Sequence, residues 1–288
     1  MAGPDGTGAA APAISGTTRL IAHVGHPTAG FRSPLIYNPW FARQGIDAVV
    51  MPMGVDQALW PGLIRPLFRL RNIVGALVTM PLKVGTAVLV DDLSVTARIA
   101  GACNAVRAAP DGRLEGEMFD GAGFVAGMRR AGRTPAGLRA LVVGAGGAGS
   151  AIAASLAGAG VAALALHDVN AAAAETLATR LRRHYPALAL ATGNADRAGH
   201  DIVVNATPLG MQEGDPLPLD ATRLAPGTFV GEVVLRPEPT PLLRAATARG
   251  CQVQPGEDML LEQIPAYLAW FGLGPATPQQ LRAVALPQ

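Results

Sequence analysis

The run Leu141-Val142-Val143-Gly144-Ala145-Gly146-Gly147-Ala148-Gly149-Ser150, with Asp168 downstream, has the residue types and spacing to hold a dinucleotide. The apolar residues suit a buried strand, the glycines a tight turn, and the alanine-rich stretch from Ala148 to Ala159 a close-packed helix. Glycine is required where a side chain would collide with a pyrophosphate, whose charge then rests on amides at the helix N-terminus. Leu164-Ala165-Leu166-His167-Asp168 reads as the next strand, ending in a carboxylate placed for a ribose hydroxyl. A glycine fingerprint alone is a weak signal; strand, glycines, helix, strand and terminal acid together are a stronger one.

Asp168 also bears on the kind of dinucleotide. A carboxylate accepts hydrogen bonds from the ribose hydroxyls of NAD and repels the additional phosphate of NADP. Val169, Asn170 and four alanines follow it, and the nearest cations, Arg180, Arg182 and Arg183, lie well along the next helix. NAD is therefore the expected cofactor. The plainer reading of Asp168 is a helix cap beside Asn170.

Composition excludes several classes. The chain has 288 residues, of which 50% are hydrophobic and 15% charged, enough for two cores and against wholesale disorder. A net charge of +2, dispersed along the chain, gives no reason to expect nucleic acid. Cys103 and Cys251 form neither a ligand pair nor a disulfide framework, as suits a reducing cytoplasm. The scattered histidines give no metal spacing, and no apolar run is long enough to cross a bilayer. Residues 1–16, rich in Gly, Ala and Pro but without a basic start, read as a flexible leader.

The elements that must position this chemistry follow an alternating order. Leu20–Val24, Ala48–Met53 and Gly75–Thr79 read as strands, with helices over Ser33–Gln44 and Gln57–Leu70 between them, a pattern that predicts parallel pairing. Asn104–Arg107 and Leu114–Glu117 flank the turn Pro110-Asp111-Gly112 as a hairpin. A helix over Asp120–Ala131 leads to the fingerprint; strands over Asp201–Asn205 and Thr228–Glu232 and a helix over Met259–Phe271 follow. The fold class expected is α/β with two domains. Residues 17–118 form the first, 119–255 a Rossmann-like domain, and the helices of 256–288 return to the first.

Several segments occur in an order that resembles the shikimate and quinate dehydrogenases. They are Ser33-Pro34, Val78-Thr79-Met80-Pro81-Leu82-Lys83, Gly101-Ala102-Cys103-Asn104-Ala105, Phe119-Asp120-Gly121-Ala122-Gly123, Asn205-Ala206-Thr207-Pro208-Leu209-Gly210-Met211 and Gly256-Glu257-Asp258-Met259-Leu260-Leu261-Glu262-Gln263. The resemblance runs from about residue 20 onward. It implies a substrate domain and a cofactor domain facing each other across a cleft, and interconversion of a ring hydroxyl and a ketone with a nicotinamide cofactor. It further implies that Lys83 and Asp120 are the catalytic pair, since a lysine held by a carboxylate can stabilise an alkoxide and exchange its proton. Ser33, Thr79, Asn104 and Gln263 match substrate contacts, with Ser33 near a carboxylate. Asn205, Thr207 and Met211 match a loop beside the nicotinamide ribose, and Gly256 a point where backbone approaches the nicotinamide.

This chain also departs from the family pattern. Phe31 replaces a hydroxyl residue, Leu77 an asparagine, Met118 and Phe119 an asparagine and a threonine, and Leu235 a tyrosine. These changes predict a cleft walled by apolar groups, poor use of shikimate and quinate, and better use of a less polar alcohol or ketone. His23 and His26, near the first strand, are open to substrate contact but read first as structural or solvated, and Cys103 reads as a buried thiol. The partner expected is a small hydroxy acid or alcohol; a homodimer is left open. A regulatory protein that senses dinucleotide without turnover is the non-enzymatic alternative, and retention of Lys83 with Asp120 argues against it.

Overall fold

The computed structural model describes residues 13–193 and 199–285. Most of the expected leader (1–12) and the end of the expected C-terminal segment (286–288) lie outside the described residues. The first part of the chain runs β1 (Arg19–Gly25), α1 (Pro34–Gln44), β2 (Ala48–Gly54), α2 (Trp60–Leu67), β3 (Ile73–Val78), α3 (Lys83–Ala87), β4 (Asp92–Leu93), α4 (Val95–Ala100), β5 (Ala105–Ala108) and β6 (Leu114–Glu117). The strands form one six-stranded sheet in the order β2-β1-β3-β5-β6-β4. Pairing of β1 with β2 and β3 is parallel; the hairpin β5–β6 adds antiparallel to β3.

The remainder runs α5 (Asp120–Arg130), β7 (Arg139–Val143), α6 (Gly147–Gly158), β8 (Ala163–His167), α7 (Ala171–His184), β9 (Ala189–Thr192), β10 (Ile202–Asn205), β11 (Phe229–Glu232), α8 (Pro241–Ala248), β12 (Gln252–Gln254), α9 (Gly256–Trp270) and α10 (Pro278–Arg282). Its six strands are all parallel, ordered β12-β11-β10-β7-β8-β9. Successive side chains of a strand point to opposite faces, so β7 feeds two cores. Ala140 and Val142 pack with Phe124, Ile152, Leu177 and Phe229, whereas Leu141 and Val143 pack with Val203, Val230 and Leu242. Strand order reverses between β8 and β10 on either side of β7, which opens a crevice at the C-terminal ends of these strands.

Two helices join the halves. Leu261, Ile264 and Leu268 of α9, with Phe271 just after it, enter the core that Ile21, Ile36, Trp40 and Phe41 build on the first sheet. Helix α5 lies between α6 and α9 at backbone distance: a Cβ on Gly121 would stand 2.1 Å from the Ala151 carbonyl oxygen, and one on Gly123 would stand 2.6 Å from that of Met259. Asp120, the first residue of α5, is thereby held against both neighbours.

Candidate active site

The C-terminal ends of β1 and β3 open into a pocket with about 390 Å³ of space reaching to solvent. Ser33, Thr79, Lys83, Asn104, Asp120 and Gln263 all line it. Lys83 is brought there by the turn Thr79–Leu82 after β3, Asn104 by the start of β5, and Gln263 by α9. Lys83 Nζ donates to Asp120 Oδ2 at 2.5 Å, and Asn104 Nδ2 donates to Asp120 Oδ1 at 2.8 Å. Asn104 is itself fixed: its Oδ1 accepts from the Phe119 amide at 2.9 Å, and its Nδ2 also lies 3.4 Å from Gln263 Oε1. The Tyr267 hydroxyl, missed in the sequence, donates to the Asn104 carbonyl at 3.3 Å. Both oxygens of Asp120 are thus aimed by donors, and the carboxylate is almost fully buried. Neither Ser33 nor Asp120 caps its helix with its side chain, so both polar groups remain for the pocket.

The expected apolar wall is not what the structure shows. Leu77 does line the pocket. Phe31 instead stacks against the His23 ring, at 4.0 Å between centroids. Phe119 packs on Tyr267 and Trp270, Met118 is buried in the core beneath the first sheet, and Leu235 is 39% exposed outside the wall. Sequence order alone placed these residues near the site, and tertiary packing turned most of them away. The wall is mixed, with Tyr37, Leu260, Ile264 and Tyr267 beside the polar groups. His23, read from sequence as structural or solvated, is part of it, while His26 is exposed. Arg32 pairs with Glu257 at the start of α9, 3.5 Å away. Cys103 is buried, and burial pushes its thiol up to about 12, which leaves it unreactive.

On the other side of the cleft the glycine fingerprint turns from β7 into α6. Gly144 has φ 104°, and a Cβ there would stand 2.8 Å from the Ala206 backbone, so both conformation and contact demand glycine. Gly146 faces open space, and α6 begins without a side-chain cap, leaving first-turn amides for an anion. Gly147 packs toward the Lys83 side chain, which brings the fingerprint to the Lys83–Asp120 pair. The Asp168 carboxylate accepts from the amides of Ala145 (2.7 Å) and Asn170 (2.8 Å). It therefore ties the second strand end to the fingerprint and is not the cap of α7, whose N-cap is Asn170. Each Asp168 oxygen retains capacity for another donor. These features fit a dinucleotide.

Beyond β10, Asn205 Oδ1 accepts from the Thr207 amide and hydroxyl, and its Nδ2 donates to the Leu209 carbonyl. This fastens the loop that carries Met211, which is 48% exposed. Gly256 lies where a Cβ would come 2.4 Å from the Val234 carbonyl oxygen, so its contact in the fold is with the chain after β11. Glu232, at the end of β11, was not singled out from sequence. It is buried, hydrogen-bonded by Thr240 at 2.9 Å and by Asn205, and burial raises its acid to about 7. Among the described residues no group of His, Cys, Asp and Glu is arranged to hold a metal, and no helix is long and apolar enough to cross a membrane.

A parallel sheet with a dinucleotide fingerprint, facing a buried Lys–Asp pair across a cleft, defines a two-domain oxidoreductase that acts on CH–OH donors with a nicotinamide cofactor. Residues 24–106 match the family model described as the shikimate dehydrogenase substrate binding domain. The shikimate dehydrogenase (NADP(+)) of Rubrobacter xylanophilus is 40% identical over 282 residues, covering 95% of this chain and 98% of that protein. Among solved structures, shikimate 5-dehydrogenase from Listeria monocytogenes, in complex with shikimate and NAD, superposes with a TM-score of 0.86 at 29% identity, covering 95% of this chain and 98% of that one. Quinate dehydrogenase from Corynebacterium glutamicum, in complex with NAD, gives 0.82 at 29% identity, covering 93% and 98%. The chain belongs to the shikimate dehydrogenase family.

Proposed function

We propose that this protein interconverts a ring hydroxyl and a ketone of a cyclic hydroxy acid of the shikimate or quinate type, with Lys83 and Asp120 as the proton-transfer pair. The reading rests on the 2.5 Å contact between Lys83 Nζ and Asp120 Oδ2 inside a pocket lined by Ser33, Thr79, Asn104 and Gln263. A hydroxyl bound beside this pair loses its proton as the carbon–hydrogen bond breaks. Lys83 stabilises the developing alkoxide, and Asp120, aimed by Asn104, accepts or returns the proton. In the reductive direction the same pair protonates the ketone oxygen. The dinucleotide, when bound, takes up or supplies the hydride. Gly144, Ala145, Gly146, Gly147, Ala148 and Asp168 would hold its pyrophosphate and adenosine side, and Asn205, Thr207, Met211 and Gly256 its nicotinamide side.

NAD is the preferred cofactor in this proposal, although the Rubrobacter relative is named for NADP(+). A carboxylate at Asp168 disfavours an added ribose phosphate, Val169 is fully exposed, and α7 opens on alanines. Arg180 donates to the Ala100 carbonyl at 3.1 Å rather than standing beside Asp168. The Listeria and Corynebacterium structures each hold NAD. The protein works in the cytoplasm, as its two buried free cysteines suit a reducing compartment. A second reading, a less polar alcohol or ketone as substrate, is favoured by one wall residue, Leu77. The test is initial-rate oxidation of shikimate, quinate and simple cyclic alcohols with each cofactor. The expected result is a higher kcat/KM for a ring hydroxy acid with NAD. Equal efficiency with NADP overturns the cofactor assignment, and turnover of cyclic alcohols alone overturns the substrate class.

A further inference from the structure

His23 occupies a position that its neighbours make unusual. It lies on β1, in register with Leu77 of β3 and with Pro52 of β2, and it lines the pocket together with Ser33, Thr79 and Lys83. The residue is 6% exposed, and its Nδ1 is buried with no hydrogen-bond partner. The Phe31 ring stacks on it at an interplanar angle of 27°, fixing the plane of the imidazole. Burial, and secondarily the nearby Lys83 charge, lower its pKa to about 3. At working pH the ring is neutral, with one N–H donor and one acceptor nitrogen. A buried polar group without a partner costs free energy unless a ligand or water supplies one.

Leu77 and Phe31 stand where the family pattern carries an amide and a hydroxyl. The structure sets a polar ring beside both, in register with Leu77 on the next strand and stacked on Phe31. We propose that His23 is a specificity-determining substrate contact, hydrogen-bonding a ring hydroxyl other than the reacting one. It thereby replaces the polar contact that Leu77 does not make. This inference rests on the substrate class proposed above. Recognition by a neutral imidazole favours a hydroxyl, which can donate to or accept from the ring nitrogen it meets, and adds no second positive charge beside Lys83. Phe31 stacks on the imidazole and fixes its plane, so the apolar substitution serves polar recognition indirectly.

The experiment compares wild type, His23→Val, His23→Leu and His23→Asn with shikimate and its single-deoxy analogues. His23→Val is expected to raise KM for shikimate about 10-fold, the scale of one hydrogen bond, with a much smaller change in kcat. Wild type and His23→Val are expected to converge on the one analogue that lacks the contacted hydroxyl. His23→Asn, which restores a donor and an acceptor, is expected to recover most of the KM, and His23→Leu is not. A KM unchanged in His23→Val, or raised equally for shikimate and every analogue, overturns the contact and leaves His23 a packing residue. If His23→Val fails to fold, the Asn and Leu variants give the same comparison. Shikimate turnover by wild type is measured first, and its absence overturns the proposed function separately. The contact is then judged by calorimetric titration of shikimate into the same variants. An approximately 10-fold affinity loss supports it; equal affinities, or no binding to any of them, overturn it.

Discussion

Replacing Asp120 by asparagine changes the charge at the proposed proton-transfer pair while keeping its shape. In the native site both carboxylate oxygens accept, one from Lys83 Nζ at 2.5 Å and one from Asn104 Nδ2 at 2.8 Å. An asparagine can accept through one atom only, so its amide nitrogen must face a donor whichever way it turns. With the side chain 4% exposed, water offers little relief. One mispaired buried donor costs about 1–3 kcal/mol, and in a protein of this size each kcal/mol lowers Tm by roughly 2–4 °C. The variant is therefore expected to melt about 2–12 °C below wild type and remain folded near room temperature. Loss of the proton acceptor beside Lys83 is expected to lower kcat by ~10²–10⁴. The proposed dinucleotide site lies on the other sheet, so dinucleotide affinity, followed by fluorescence titration, is expected to stay within a few-fold. A kcat within three-fold of wild type, about 0.6 kcal/mol of barrier, in a folded variant refutes the proton-transfer role of Asp120. An equal loss of dinucleotide affinity refutes the division of labour between the two sheets.

At the fingerprint, Asp168→Ala removes the carboxylate that joins the Ala145 and Asn170 amides. The kcat/KM ratio of NAD to NADP is expected to fall by ~10-fold or more, the loss of about one charged hydrogen bond, and an unchanged ratio shows that Asp168 does not select the cofactor. For Glu232, the folded acid sits at about 7 against 4.5 as the ordinary value, with burial as the main cause. Between those values the folded chain binds more protons than the unfolded one, so this group's contribution to stability falls as pH rises from about 4.5 to 7. Glu232→Gln keeps an oxygen for the Thr240 hydroxyl and removes the titration. Its Tm relative to wild type is expected to rise by several degrees between pH 5 and pH 8, measured by calorimetry, and a pH-independent difference refutes burial of an ionisable Glu232.

The cofactor side was legible because it is local chemistry. Gly144 and Gly146, the strand before them and Asp168 lie within one strand–helix–strand unit, where each requirement falls on backbone atoms only a few residues apart. The long strands and α5 were legible from apolar runs and from the hairpin turn. Strands β9 and β12 were not: Ala189–Thr192 and Gln252–Gln254 are too short and too weakly apolar to stand out, and become strands only by pairing with β8 and β11. The pocket wall was least legible. Whether Leu77 faces the pocket or Phe119 turns into the core depends on register and on packing against α9, which adjacent sequence does not encode. The place of His23 in the pocket wall was illegible for the same reason. A histidine inside the run Leu20–Val24 looks like a strand residue of no special use until β3 sets Leu77 beside it.

The two sides of the site are mechanically joined through α5, and this follows from glycine placement rather than from any catalytic residue. Gly121 lets α5 touch the backbone of the fingerprint helix, and Gly123 lets it touch α9 at Met259 and Gln263. Asp120 starts this helix, Gln263 lies on α9, and α6 carries the uncapped first-turn amides of the fingerprint. A displacement of any one of these helices must therefore push against α5, because the gaps are too small for a side chain to yield. Arg130, at the other end of α5, pairs with Asp258 at 2.8 Å and with Glu262 at 2.6 Å, so the α5–α9 contact is held at both ends. In the proposed mechanism a hydride-transfer site tolerates little error in the distance between Lys83–Asp120 and the fingerprint. Helices at backbone contact fix the spacing of these elements, which explains why Phe-Asp-Gly-Ala-Gly carries glycine on either side of Ala122 in a helix where glycine is otherwise unfavourable.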